Sequence, residues 1–331
     1  LSFTVGSVLI AAAGWVIAVA TADRTELAAG LLKYYWFRLA DAAVPRPLDP
    51  QRLAERAGDG RELGPGEGDP GGGAGIQADL KSFTALRVYG MSVLTAVTAQ
   101  NSVRVAAVHY LPAGFVAAEI DAVLEDYGAA AIKTGFIGRA ELVHAVAERL
   151  RFWQASAPER VGPLVVDPVL VNHRHEAMFG PDVTEAYRQS LLPLATLVTP
   201  NRAEAALLTG QTVDAVAAAE HAARALHGMG ARHVLLKGIP DGEQMADLFF
   251  DGYTCLTLAS PRLETDNTHG SGDTLSAAIA AVLAHGLPLP EAIERGRGYT
   301  LAALRGSQSW RLGAGHGPLR HWTGAGEEES R

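Results

Sequence analysis

Short apolar runs alternate with helix-patterned segments from Gly71 onward, and this alternation limits the folds open to the chain. Strand-like runs fall at 92–98, 129–133, 164–167, 196–199, 234–237, 247–250 and 254–258. Helical spacing of apolar residues predicts helices at 76–86, 114–126, 140–151, 183–192, 213–227, 274–284 and 289–304. Parallel strands need a long crossover, and a helix is the usual one. The expected fold class is therefore α/β, a doubly wound, mostly parallel sheet with helices on both faces. An apolar share of 48% and a charged share of 19% suit a well-filled core of this kind.

Polar residues gather where the strand-like runs end: Gln100-Asn101, Lys133-Thr134-Gly135, Asp167-Pro168, Thr199-Pro200-Asn201 and Lys237-Gly238. In open α/β sheets the ligand crevice lies beyond the carboxyl ends of the strands. Any one of these clusters is explained by ordinary turn residues. Their recurrence at equivalent topological positions predicts one shared site.

The stretch 268–276, Thr-His-Gly-Ser-Gly-Asp-Thr-Leu-Ser, carries the chemistry. Two glycines sit just ahead of an apolar-periodic helix (Leu275, Ile279, Val282, Leu283) that Gly286 ends. Backbone N–H groups at such a turn face an incoming anion, and the helix dipole adds partial positive charge. Asp273 stands where the helix begins. As a plain N-cap it needs no further role. Beside an anion hole, however, a carboxylate repels what the amides attract, unless it takes a proton from a hydroxyl while the amides hold a phosphoryl group. The second reading is phosphoryl transfer to a small molecule.

Charge and cysteine usage narrow the rest. The net charge is −8 with no lysine/arginine run, so no nucleic-acid footprint is expected. Cys255 is the only cysteine, which excludes an internal disulfide and fits a reducing, cytoplasmic setting. His173 and His175 match no standard zinc spacing and read as a polar loop. His269 reads as shaping the turn; Trp153 and Trp310 read as packing residues.

The N-terminal part differs. Residues 1–22 carry no charge and 5–20 are nearly all apolar, marginal for a bilayer span. Residues 27–43 place Leu31, Leu32, Tyr35, Trp36 and Leu39 at helical spacing, suited to a membrane surface or a partner. Residues 44–73 are rich in Pro, Gly and charge. The expected division is an extension over 1–62, unconnected with catalysis, and a catalytic domain over 63–325. Membrane contact through 1–22 is the less favoured alternative.

Several blocks together resemble the hydroxymethylpyrimidine/phosphomethylpyrimidine kinases of thiamine biosynthesis, which are ribokinase-like. They are Gly-Asp-Pro-Gly-Gly-Gly-Ala-Gly-Ile-Gln-Ala-Asp-Leu-Lys (68–81), Tyr-Gly-Met-Ser-Val-Leu-Thr-Ala-Val-Thr-Ala-Gln-Asn (89–101), Lys-Thr-Gly (133–135) and Asp-Pro-Val (167–169). Thr-Pro-Asn-Arg-Ala-Glu-Ala (199–205), Leu-Lys-Gly (236–238), Asn-Thr-His-Gly-Ser-Gly-Asp-Thr-Leu-Ser-Ala-Ala (267–278) and Gly-His-Gly-Pro (315–318) complete the set. The resemblance implies that Asp79 and Gln100 hydrogen-bond the aminopyrimidine ring, with Gly73 in the substrate loop. It implies that Lys237, Asn201, Thr268 and Ser271 meet ATP. Asn201 and Glu204 would hold water on Mg²⁺, although the same two residues have the spacing of a capping box. Asp167 would support that magnesium shell or fix a loop. Asp273 would act as the base, with Gly270, Gly272 and Lys237 completing the catalytic group, in an enzyme expected to be a homodimer.

Two departures stand out. These kinases usually carry cysteine where this chain has Asp273, whereas aspartate is usual in ribokinase and many pyridoxal kinases. Pyridoxal or pyridoxine is therefore an alternative substrate. The family also begins with an apolar strand leading into the glycine loop, while Arg-Glu-Leu-Gly-Pro-Gly-Glu (61–67) makes a poor strand. Residues 8–12 or 15–20 are candidates to replace it. Without a first strand, a third reading is a catalytically weak, membrane-tethered protein that binds the pyrimidine.

Overall fold

The computed structural model describes residues 68–322 together with two short strands, β1 (Leu9–Ala12) and β2 (Trp15–Ala18). The segment expected to be helical at 27–43 and most of the 1–62 extension lie outside the described residues. β1 and β2 pair antiparallel with Leu9 opposite Ala18, and both approach β5 (Ile132–Thr134). Strands thus fall at both N-terminal candidates, beside the edge strand β5 of the main sheet. They pair with each other and stand apart from the six-stranded sheet.

That sheet runs in the order β10–β9–β8–β7–β6–β5. β5, β6 (Leu164–Val166), β7 (Leu197–Val198) and β8 (His233–Asp241) are parallel. β9 (Gln244–Phe250) and β10 (Cys255–Pro261) add an antiparallel margin. Every residue of β5, β6 and β7 is buried, which is why they read as continuous apolar runs rather than alternating ones. β5 is the exception to that apolar character, since Lys133 and Thr134 are polar and yet fully buried. Helices α1 (Gly75–Ala85), α7 (Ser271–Ala284) and α8 (Leu289–Ser307) pack on one another, and α7 lies on β5 and β6. The other layer contains α2 (Ala113–Asp126) on α3 (Ala140–Ser156), and α5 (Arg202–Thr209) on α6 (Val216–Gly228).

α7 is buried at every position from Asp273 to Ala284, so its apolar pattern marks a core helix rather than a one-sided surface helix. Its alanines let α8 come close. A Cβ at Gly296 of α8 would stand 2.6 Å from Ile279 Cγ1. The helix expected at 183–192 is instead broken into α4 (Pro181–Ala186), a π turn (Tyr187–Leu191) and a 3₁₀ turn (Leu192–Leu194) containing Pro193. Among the described residues no helix is long and apolar enough to cross a membrane.

One expectation needs correction. The run at 92–98 belongs not to the main sheet but to a separate antiparallel ribbon, β3 (Ala96–Gln100) with β4 (Val105–Tyr110). β4 is largely exposed, so its sequence lacks the fully buried signature that marks its neighbours. Gln100-Asn101 accordingly lies at the tip of this ribbon, where Asn101 Oδ1 accepts from Val103 N and Arg104 N, both at 3.0 Å.

Candidate active site

Two loops meet backbone to backbone at the start of α7. Gly270 caps the helix with φ +81°, and a Cβ there would lie 1.9 Å from the Gly73 carbonyl oxygen. Only glycine permits both that dihedral and that approach. The 69–75 loop is held from inside by Asp69. Its Oδ1 accepts from Gly71 N at 2.8 Å, and its Oδ2 from Gly73 N at 2.9 Å and Ala74 N at 3.0 Å. His269 Nε2 lies 3.0 Å from the same Oδ2, and a Cβ on Gly73 would run into the imidazole. Burial pushes the Asp69 carboxyl up, but His269 and the amides more than offset it, leaving it below the usual range. His269 thus shapes the turn, as expected. Asp69 went unanticipated, since an Asp-Pro-Gly step reads as any turn.

Within the turn, Ser271 N donates to Thr268 O at 3.1 Å. The amides of Gly272 and Asp273 fall in the first helical turn, where a helix offers no internal acceptor. Beside them stands Lys237. A Cβ on Gly272 would lie 3.1 Å from Lys237 Nζ and 3.4 Å from Asp167 Oδ2. An ammonium, two first-turn amides and the dipole of α7 therefore converge on one spot, the composition of an anion site.

Lys237 does not close its strand as expected. β8 continues to Asp241 past a bulge between Leu236 and Ile239. Gly238 has φ +73° and its N–H donates to Asp247 Oδ1 at 3.0 Å. Arg297 Nε holds the other carboxylate oxygen, Asp247 Oδ2, at 2.7 Å. The bulge re-aims Lys237, a familiar use of such irregularities near sites. Lys237 Nζ donates to Asp167 Oδ1 at 2.6 Å, while Thr199 and Ser276 hydroxyls donate to the same carboxylate at 3.1 and 3.2 Å. Burial pulls the Lys237 ammonium down, but Asp167 and Glu204 outweigh it and its pKa rises.

Asp273 is 4% exposed. Its Oδ1 accepts from Lys133 Nζ at 3.0 Å and its Oδ2 from Gly75 N at a long 3.4 Å. The same ammonium bonds both oxygens of Asp79, at 3.0 and 2.8 Å. Asp79 and Lys133 have no exposed surface at all. Burial pushes both carboxyls up and Lys133 opposes it, with the net direction upward for each. Lys133 was expected only as part of a strand-end cluster; its ion pairs went unanticipated.

Asn201 and Glu204 form the capping box that their spacing suggests. Asn201 Oδ1 accepts from Ala203 N and Glu204 N at 2.9 and 3.0 Å, and Glu204 Oε2 from Asn201 N at 2.8 Å. Burial raises the Glu204 carboxyl to about 8. Gln100 reaches the turn indirectly. Ser102, at the ribbon tip, accepts from His316 N at 3.1 Å, and Gly317 O accepts from His269 N at 3.1 Å. The Gly-His-Gly-Pro segment thus ties the ribbon to the anion turn. His173 lies against His316 with ring centroids 4.8 Å apart and the rings tilted by 53°. Among the described residues no group of three or more His, Cys, Asp or Glu side chains is arranged to hold a metal ion.

Comparison with known proteins agrees with this geometry. The sequence profile described as phosphomethylpyrimidine kinase matches residues 69–320. A hydroxymethylpyrimidine/phosphomethylpyrimidine kinase of Rhizobium meliloti (strain 1021) is 48% identical over 257 residues, covering 77% of this chain and 94% of its own. Among solved structures, a pyridoxal kinase of Bacillus subtilis in complex with ADP is 33% identical with a TM-score of 0.70, over 77% of this chain and 94% of that one. A phosphomethylpyrimidine kinase of Clostridium difficile 630 is also 33% identical, with a TM-score of 0.63 over 71% and 95%. The fold, the loop-to-turn contact and the profile meet on the same residues, and the chain belongs to the phosphomethylpyrimidine kinase family, an ATP-dependent small-molecule kinase with a ribokinase-like fold.

Proposed function

We propose that this protein transfers the γ-phosphoryl group of ATP to the hydroxyl of 4-amino-5-hydroxymethyl-2-methylpyrimidine, and a second one to the resulting monophosphate. The observation that carries the reading is the placement of the Asp273 carboxylate one residue from the Gly272 amide, with Lys237 Nζ beside that glycine. A base and an anion hole this close suit a hydroxyl that loses its proton as a phosphoryl group arrives. Asp273 takes that proton in the first step. In the second the acceptor is already ionised, and Asp273 matters less. Gly270, Gly272 and Lys237 hold the transferring group, with Thr268, Ser271 and Asn201 toward the rest of the triphosphate. Gln100 and Gly73 face the ring; an amide offers the donor and acceptor that an aminopyrimidine needs.

A magnesium ion suits the same end of the sheet. Asp167 and Glu204 are buried carboxylates that share one ammonium, Lys237, and hard oxygen donors of this kind accept a water-coated Mg²⁺. Asn201 and Glu204 would hold it through water. Bound there, the ion would neutralise charge on the ATP phosphates.

Pyridoxal phosphorylation is the second reading. It is favoured by a carboxylate at 273 and by the likeness to pyridoxal kinases from Bacillus subtilis and Staphylococcus aureus, each with a TM-score of 0.70. An ADP-release assay with purified protein separates the two. Turnover with the hydroxymethylpyrimidine and its phosphate, well above that with pyridoxal, is the expected result. Preference for pyridoxal overturns it.

A further inference from the structure

Lys133 poses a question that the phosphoryl-transfer site does not answer. It sits in the middle of an all-buried strand, in contact with two carboxylates that come from opposite ends of the chain sequence. Asp79 lies on α1 and Asp273 on α7, and Lys133 Nζ lies within 3.0 Å of both. Three fully or almost fully buried ionisable groups are expensive to assemble unless each is needed. The ammonium has three donors; it bonds both oxygens of Asp79 and also Oδ1 of Asp273, the proposed base.

We propose that Lys133, anchored by Asp79, is a positioning residue that keeps Asp273 ionised and turns its Oδ2 toward the acceptor. The proposal rests on the kinase reading above. A carboxylate can accept about four hydrogen bonds. Oδ1 of Asp273 is engaged by Lys133, whereas Oδ2, among the described residues, has only the 3.4 Å approach of Gly75 N–H and retains capacity for a proton. The base needs its charge, yet every element around it except β5 and β8 supplies either a negative group or none. Asp79 faces it from α1 and Asp167 from the end of β6. Lys237 contributes from β8, at a greater remove. His321, bonded to the neighbouring Thr274, is pushed down to about 4 by burial and is uncharged at neutral pH. Among the described residues, Lys133 alone touches the carboxylate with a positive charge.

Asp79 then acts through Lys133 rather than on the substrate. Each of its oxygens accepts from the ammonium, and it has no exposed surface to offer a ring. The two carboxyls titrate as a coupled pair in two macroscopic steps. Removing Asp79 and removing Lys133 therefore have opposite consequences for the Asp273 charge, and the acid limb of activity follows them only where Asp273 is the base.

The test uses the full chain carrying ¹³C-labelled aspartate, with Asp273→Asn to assign the resonance. Carboxyl titrations are followed by NMR in the wild type, Lys133→Met and Asp79→Asn, alongside the pH dependence of kcat/KM for the hydroxymethyl substrate. In Lys133→Met the Asp273 titration and the acid limb of activity move up by at least about one pH unit, the scale of losing an adjacent opposite charge. In Asp79→Asn the pair collapses to one step below the upper wild-type step, with KM for the acceptor unchanged. An Asp273 titration that stays put in Lys133→Met overturns the proposal. So does an Asp79→Asn enzyme whose KM rises tenfold while its acid limb is unmoved, since Asp79 then contacts substrate. The NMR titration needs no substrate, so its outcome is separate from failure of the kinase reading, which appears as no ADP release with any acceptor.

Discussion

A methyl group at position 270 has nowhere to go. It would meet the Gly73 carbonyl at 1.9 Å, on a backbone already at φ +81°. Gly270→Ala is expected to destabilise the protein by about 1–3 kcal/mol from backbone strain alone. It should also cut ADP release severely, because the amides of Gly272 and Asp273 move with the turn. A variant with wild-type melting temperature and turnover contradicts the close packing of the two loops. At this scale the sequence was most legible where a residue's partners are local. Gly-Ser-Gly-Asp announces a turn, a helix start and a carboxylate in four consecutive positions, and Asn201 with Glu204 announces a cap. Lys133 was opaque because its partners lie 54 and 140 residues away. No local pattern separates an ion-paired lysine in a buried strand from one that leads into a loop.

Elements were legible when burial made them uniform. α7 and the buried strands β6 and β7 carry continuous apolar character, and their expected and observed positions differ by a few residues at most. β4 escaped because it is exposed, and α5 showed its start through the cap but not its length, because eight residues hold too little periodicity. The C-terminal segment adds a contact that sequence cannot give. His321 is 2% exposed, lies 3.0 Å from Thr274 Oγ1 of α7 and accepts from Tyr299 Oη of α8 through its carbonyl at 2.7 Å. Burial, and Lys81 to a lesser extent, lower its imidazole from 6.5 to about 4. As pH falls, the unfolded chain binds this proton first, so stability present above pH 6.5 is lost progressively down to about pH 4. The loss is on the order of 3 kcal/mol. Urea midpoints measured from pH 7 to 4.5 should fall more steeply in the wild type than in His321→Gln. Parallel curves contradict a buried neutral imidazole.

Across the whole molecule, four parallel strands bring Asp167, Thr199 and Lys237 to the end of the sheet that faces the start of α7. The alternation of runs was sufficient to infer this layout, since parallel strands with helical crossovers place their carboxyl ends together. It was not sufficient to place the β3–β4 ribbon, because an antiparallel hairpin outside the sheet uses the same residue types as a member strand. The ribbon tip is joined to the anion turn through Ser102, His316, Gly317 and His269, so the parts proposed to face the substrate and the phosphate share one support. Asp273 is proposed to serve as base at that junction. The most direct test of that role compares Asp273→Asn with the wild type in two ADP-release assays, one with the hydroxymethylpyrimidine and one with its monophosphate. The predicted result is a fall in kcat of about 10²–10⁴-fold for the hydroxymethyl acceptor and a much smaller fall for the already ionised phosphate. Equal losses with the two acceptors would contradict it.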